Sequence, residues 1–427
     1  MMQPALLLLI VFIVTLSINV PVAYTFILAA LAFVPFHSHL SFLNIMQRIV
    51  GGMNSFILLT VPFFILVGLV MNKGGITKRI FKFARALVGH IPGGLGHVNI
   101  VASIIFAGMS GSSQADAAGL GQIEIEGMSA EGYDLPFSAA VTAASSIIGP
   151  IIPPSISLVV YGSLAGVSIG AMLIAGLIPG LFLGLMLMVA VYIISKSRNY
   201  PKDERASFKE IISGFKDSFF ALLTPVILLG GIMSAVFTPS EAGAVAALYA
   251  IIISVFIYKT LKWSDIPGIL GEWVILNAGI MIIIGAASAM GWMLTWEGIP
   301  QSIASTLLST FDQTWIILIL VNILFLIGGM FMEGLAMMTI FVPLMTPVVA
   351  MLGVDLVHFG VVVVFNALIG GLTPPVGVLA FILCTITDLT MEEYTKAIWP
   401  FLLTLIIALL IITFVPQITM YLPNLVF

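Results

Sequence analysis

Apolar residues fall in long blocks along this chain, and polar residues gather in the short gaps between them. A helix that crosses a bilayer needs about 20 apolar residues. Such blocks lie near 4–18, 21–36, 50–71, 136–163 and 170–194 in the first half. In the second half they lie near 219–237, 242–258, 273–293, 358–383 and 398–422. The first two are short and are parted by Asn19 and Pro21, so one tilted, kinked helix is an alternative there. Two more apolar stretches, 97–127 and 313–350, are interrupted near their middles by GMSGSSQADAAG and GGMFMEGLAM. Both read as re-entrant hairpins that enter and leave by one face. Each half then has five spans, and an odd number makes the halves run in opposite directions.

The halves also match in sequence. At a constant offset of 221, IGPIIPPSISL at 148–158 lies over IGGLTPPVGVL at 369–379, with five of eleven positions identical. The same offset sets Gly108-Met109 on Gly329-Met330, Asp134 on Asp355 and Pro179 on Pro400. Repeats joined by an odd number of spans are inverted repeats, whose substrate and ion sites lie near the midplane at interrupted helices. The expected fold is an all-α polytopic membrane protein with two inverted-topology repeats. Each has about five transmembrane helices, one re-entrant hairpin and one broken helix.

Composition names the solvent. Of 427 residues, 60% are hydrophobic and 8% charged, whereas soluble domains have about 45–50% and about 25%. A soluble enzyme, a nucleic-acid binder and a disordered tail are excluded. The N-terminal apolar run has no basic stretch before it and reads as a membrane helix. The single cysteine, Cys384, forms no internal disulfide, and no Cys/His cluster has zinc spacing. No phosphate loop is present, so ATP is not the energy source in this chain.

Thirteen of the 15 Lys and Arg residues fall in three groups, at 73–85, 196–216 and 259–262. Basic loops mark the cytoplasmic side. Residues 196–216 are therefore expected inside and both termini outside, with Trp292, Trp296 and Glu297 at the outer interface. The acidic loop with Asp388, Glu392 and Glu393 then lies inside with only Lys396 as a base.

Candidate chemistry sits where the helices break, because irregular backbone survives at membrane depth only when buried in protein or lining a polar cavity. Four breaks exist: the tips Gly108–Ser113 and Gly328–Gly334, and the mid-span breaks Ser145–Ser155 and Asn366–Pro375. In the first mid-span break, Pro150, Pro153 and Pro154 remove three donors and free helix carbonyls. A half-helix, a short extended link and a second half-helix are expected. Freed carbonyls and Ser hydroxyls suit a hard cation, and the break has no carboxylate, which suits a monovalent ion. Asn366 and Thr373 offer the same in the second break, so two Na⁺ sites are expected. The half-helix N-termini beyond Pro154 and Pro375 can hold a carboxylate without arginine. Asp116 is an intramembrane acid, by default functional and otherwise an N-cap. Glu333 is similar, or else a solvated residue at an outer opening. His37, His39, His90 and His97 read as solvated, and Glu241 as a helix cap.

Together the tip GMSGSSQADAAG, the stretch GPIIPPS, the second tip GGMFMEG and the stretch NALIGGLTPPVG resemble the large membrane subunit of TRAP (tripartite ATP-independent periplasmic) transporters. The resemblance runs over essentially the whole chain, with the motifs in family order. It implies a sodium-coupled, elevator-type transporter of the ion-transporter superfamily in the bacterial inner membrane. A small four-helix membrane subunit and a periplasmic substrate-binding protein would be its partners, and an organic acid its cargo. Carried over residue by residue, it implies substrate contacts at Ser110, Ser112, Asp116 and Ser157. It implies Na⁺ ligands at Ser103, Ser145 and Gly149 in one site, and at Gly329, Asn366, Gly370 and Thr373 in the other.

The expected organisation is scaffold helices at 1–90, a transport-domain hairpin and broken helix at 91–195, and a cytoplasmic linker at 196–218. Scaffold helices follow at 219–310 and transport-domain elements at 311–427. The arginine-free, serine-rich tip favours a hydroxylated sugar acid such as sialic acid over a C4-dicarboxylate. Rival readings are a Na⁺/carboxylate symporter without a binding protein, an intramembrane hydrolase using Asp116 or a serine, and an ion channel. The hydrolase would need a His or second acid in the same break, and none is there.

Overall fold

Helices fill the apolar blocks, and Gly or Asn caps the ends of several, among them Asn54, Gly74, Gly111, Gly166 and Asn199. The computed structural model describes residues 4–18, 20–36, 40–54, 56–311, 313–374 and 377–427. Asn19, His37, His39 and Pro375 lie outside the described residues. Among the described residues all regular structure is helical, and seven helices are long and apolar enough to cross a membrane. Two of the seven, Thr314–Phe331 and Gly334–Met351, are the arms of the second expected hairpin.

Several boundaries differ from expectation, each for a local reason. Pro4–Ser17 and Val22–Phe33 are two helices packed side by side. The block 50–71 is not one span: Phe42–Met53 stops at Asn54, whose backbone leaves the helical region, and Thr60–Lys73 follows a short 3₁₀ turn. Phe42–Met53 buries Ile45 and Ile49 and exposes Leu43, Met46 and Val50. The basic stretch around residue 80 is itself a helix, Thr77–Val88, which buries Ile80 and Ala84. Residues 196–218 are not a linker throughout. The preceding helix runs to Arg198, and a capping box of Ser207 and Glu210 starts Phe208–Met233. At the C-terminal end, helix Met391–Phe414 gives way near Pro416 to a separate helix, Gln417–Val426.

The first hairpin is Gly94–Ser110 followed by Ser113–Ala130, and the second is Thr314–Phe331 followed by Gly334–Met351. The first broken helix is Leu135–Ser146 and Ile156–Ala165; the second is Leu356–Leu372 and Val378–Thr387. Between the halves of the first, residues 147–154 form compact turns rather than the extended link expected, with a cis Pro153–Pro154 bond. Ser155 caps the new half-helix by accepting from the Leu158 N–H.

Packing follows the 221-residue offset. Ser113–Ala130 lies against Val378–Thr387, and its counterpart Gly334–Met351 lies against Ile156–Ala165. Thr60–Lys73 packs on Pro239–Ile252, and Ile266–Trp296 packs on Val22–Phe33. Ile266–Trp296 and Thr60–Lys73 also touch, and together they face the hairpins. At the hairpin base Arg85 bonds Asp203 and Glu131, while Tyr133 donates to the Pro201 carbonyl.

Candidate functional site

Both tips and both breaks open on one cavity of about 410 Å³. Residues 110–115 line it from the first tip, and Pro150, Ile156 and Ser157 from the first broken helix. Glu333, Gly334 and Leu335 come from the second tip, with Ala367, Gly371 and Val378 from the second broken helix. The opposite wall is formed by Ile65, Gly68, Leu69 and Asn72, and by residues of Ile266–Trp296 between 275 and 283. Among the described lining residues Glu333 is the one charged side chain, and none is basic.

The first tip turns at Gly111, whose φ of +60° suits a residue without a Cβ. A Cβ there would stand 2.4 Å from the Pro154 carbonyl oxygen, so the tip sits directly on the break. Ser112 caps the second arm, its hydroxyl accepting from the Ala115 N–H at 3.4 Å. Asp116 is therefore not the N-cap. It is buried behind the tip, and its Oδ1 accepts the Ser110 hydroxyl proton. Ser110 lines the cavity with its one proton already engaged. Ser112 and Ser157 line it with theirs unengaged among the described residues.

The second Asp116 oxygen is sealed from solvent without a partner. It lies against Gly149, where a Cβ would come within 2.6 Å of it. The break thus acquires a carboxylate that its own sequence lacks. Beneath it, Ser145 donates to Asn99 Oδ1 at 2.5 Å, and Asn99 Nδ2 donates to Thr142 Oγ1 at 2.7 Å. Ser103 is buried on the same hairpin arm.

The second break repeats this scheme. Asn366, which stands 221 residues after Ser145, donates to Asn322 Oδ1 and to the Val362 carbonyl, both at 2.8 Å. Asn322 in turn donates to Thr413 at 3.0 Å. The Asn366 Oδ1 atom is buried with no partner, an acceptor facing no donor. Thr373 donates to the Ile369 carbonyl at 2.7 Å, which leaves its lone pairs free. Gly329 and Gly370 touch backbone to backbone: a Cβ on Gly370 would stand 2.5 Å from Gly329 Cα. Glu333 caps the second arm, accepting from the Leu335 and Ala336 N–H groups.

Of the expected site residues, Ser110, Ser112 and Ser157 line the cavity. Ser145 bonds Asn99, one turn from Ser103, and Gly149 lies against Asp116; Gly329 lies against Gly370, Asn366 bonds Asn322 and Thr373 bonds the Ile369 carbonyl. Glu241 caps its helix as expected. His97 is buried with both ring nitrogens unpartnered, where a solvated residue was expected. Sequence reasoning missed Asn99, Asn322 and Glu124. The first two show as lone amides about a dozen residues before each tip. Glu124 stands eight residues after Asp116 on the same arm; it is buried, and its Oε1 has no partner.

Residues 9–418 match the family model described as tripartite ATP-independent periplasmic transporter, DctM component. The chain is 43% identical over 407 residues to the sialic acid TRAP transporter large permease protein SiaM of Vibrio cholerae, covering 95% of each chain. It is 38% identical to the C4-dicarboxylate TRAP transporter large permease protein DctM of Pseudomonas aeruginosa, covering 86% of each. The structure resembles that of the Alcanivorax borkumensis YdaH transporter, with TM-score 0.64 and 14% identity. The match spans 92% of this chain and 97% of that one, and it bears on the fold alone.

Proposed function

Because the chain belongs to the DctM family of tripartite ATP-independent periplasmic transporters, we propose that it is the large permease of a Na⁺-coupled importer of organic acids. Sialic acid or another sugar acid is the favoured cargo, and a C4-dicarboxylate the second choice. It works in the bacterial inner membrane with a small membrane subunit and a periplasmic protein that delivers the acid.

The observation that carries this reading is the single cavity on which both tips and both breaks converge, free of basic side chains among the described residues. An anion there is held by the start of Ile156–Ala165 and by the Ser112 and Ser157 hydroxyls. One Na⁺ would be held by Ser103, Ser145 and Gly149, with the Asp116 carboxylate supplying charge behind them. Another would be held by Gly329, Asn366, Gly370 and Thr373, where the unpartnered Asn366 oxygen fits a cation. Both tips and both broken helices would move as one body past the scaffold. Two Na⁺ entering down 100 mV would contribute about 4.6 kcal/mol.

The preference for a sugar acid rests on the hydroxyl-rich tip. The SiaM relative, named for sialic acid, is also more similar than the DctM relative, named for C4-dicarboxylates. The test is uptake of labelled sialic acid and of succinate into liposomes holding the permease with its small subunit. Na⁺-driven sialic acid uptake that needs the binding protein is expected. Uptake that persists without that protein supports a self-sufficient symporter instead, and uptake indifferent to Na⁺ overturns the coupling.

A further inference from the structure

The cavity has two unlike walls. The hairpin side offers Ser112, Ser113, Gln114 and Ser157. The facing wall is built from Ile65, Gly68 and Leu69 on one helix, and from Ile275, Leu276 and their neighbours on the other. Asn72 is the one polar side chain that this wall brings to the cavity among the described residues. It sits one turn beyond Gly68, near the end of Thr60–Lys73.

Two observations set Asn72 apart from a solvated helix end. Its carboxamide makes no hydrogen bond with any described residue, although it is only half exposed. It also lies directly over Gly119 of the first hairpin: a Cβ on Gly119 would stand 3.0 Å from both Nδ2 and Oδ1. The close approach fixes the amide against the second arm, two turns beyond the tip, and the missing Cβ makes room for it. A half-buried amide without a protein partner keeps its bonding capacity for a ligand. The cavity is the space it borders, and the groups across that space carry free hydroxyls.

We propose that Asn72 is a cargo contact on the stationary wall, bonding the hydroxyl or amide end of the bound acid while the first tip holds its carboxylate. This rests on the import reading above and adds a consequence to it. Asn72 belongs to the scaffold, so cargo can touch it only while the hairpins stand where they do here. Binding in this position is tightened by a bond that must be released before the hairpins can leave. A contact made in only one of the two positions tightens binding there without speeding the crossing. An acid lacking a donor or acceptor at its far end gains nothing from Asn72, so the residue also discriminates among acids. Asn72 is thus a binding and selectivity residue.

The experiment uses the purified permease with its small subunit in saturating Na⁺. Sialic acid binding is titrated for the wild type, Asn72→Leu and Asn72→Ala. The maximal rate of uptake is measured in liposomes with saturating loaded binding protein. Leucine keeps the volume over Gly119 without the amide; alanine covers the case in which leucine disturbs the fold. The expected result is a dissociation constant raised about fivefold, as for one lost hydrogen bond, with a maximal rate equal to or above that of the wild type. An unchanged dissociation constant in a folded variant overturns the proposal. So does weaker binding accompanied by a lower maximal rate, which would mark a contact kept throughout the crossing or a structural role. A wild type that binds no sialic acid refutes the cargo assignment instead, and the two failures are thereby told apart.

Discussion

A hydroxyl has one proton to give, and at both breaks that proton is given inward. Ser145 donates to Asn99 and Thr373 to the Ile369 carbonyl, so each oxygen keeps its lone pairs for a cation. Ser145→Ala and Thr373→Ala should each raise the Na⁺ concentration needed for half-maximal uptake while the protein stays folded. An unchanged Na⁺ curve in both variants would count against two sites. Glu124 gives a prediction of opposite sign. Its counterpart at the 221-residue offset is Met345, and its Oε1 is buried without a partner. Glu124→Met should therefore raise the melting temperature in detergent, since an orphaned buried polar atom costs about 1–3 kcal/mol. A fall would show that the carboxyl has a partner in the membrane. The types of residue at the breaks were legible in the sequence, because Pro, Gly, Ser and Asn stand out against an apolar background. Their partners were not. That Asp116 reaches Gly149, or that Asn99 receives the Ser145 proton, depends on how two helices cross, and no local pattern encodes a crossing.

Helices meet most closely where glycine allows it, and the Gly329–Gly370 crossing joins the second hairpin to the second broken helix. Gly370→Ala would drive a methyl into Gly329 backbone, and overpacking of this kind costs about 1–3 kcal/mol. Gly371→Ala has nothing within 4 Å of the added carbon. It should be neutral or stabilising by about 0.5–1 kcal/mol. Thermal unfolding of the two variants side by side checks both, and equal losses would mean that the crossing is looser than described. At this scale the long apolar spans and both hairpins could be read from hydropathy. The amphipathic helices Phe42–Met53 and Thr77–Val88 could not, because averaging cancels a helix with one wet face. Thr77–Val88, with four basic residues among its twelve, looked like a loop for that reason.

For the whole molecule the sign of the loops sets the orientation, and residues 196–216 are expected in the cytoplasm. A cysteine at Lys202, in the non-helical segment between Arg198 and Ser207, should resist an impermeant thiol reagent added to intact cells and react once the membrane is opened. Labelling from outside would invert the assignment. The repeat could be seen in the sequence as an offset; the exchange of partners between its copies could not. That exchange also bears on how the chain is made. Ser113–Ala130 rests on Val378–Thr387, which leaves the ribosome about 250 residues later. At 5–20 residues per second the delay is on the order of 12–50 s. Through that interval the nascent first hairpin stands in the membrane without the neighbour that covers it. Truncated chains ending before residue 378 should therefore be the ones that quality-control proteases clear fastest, and chains released just beyond residue 387 should be spared.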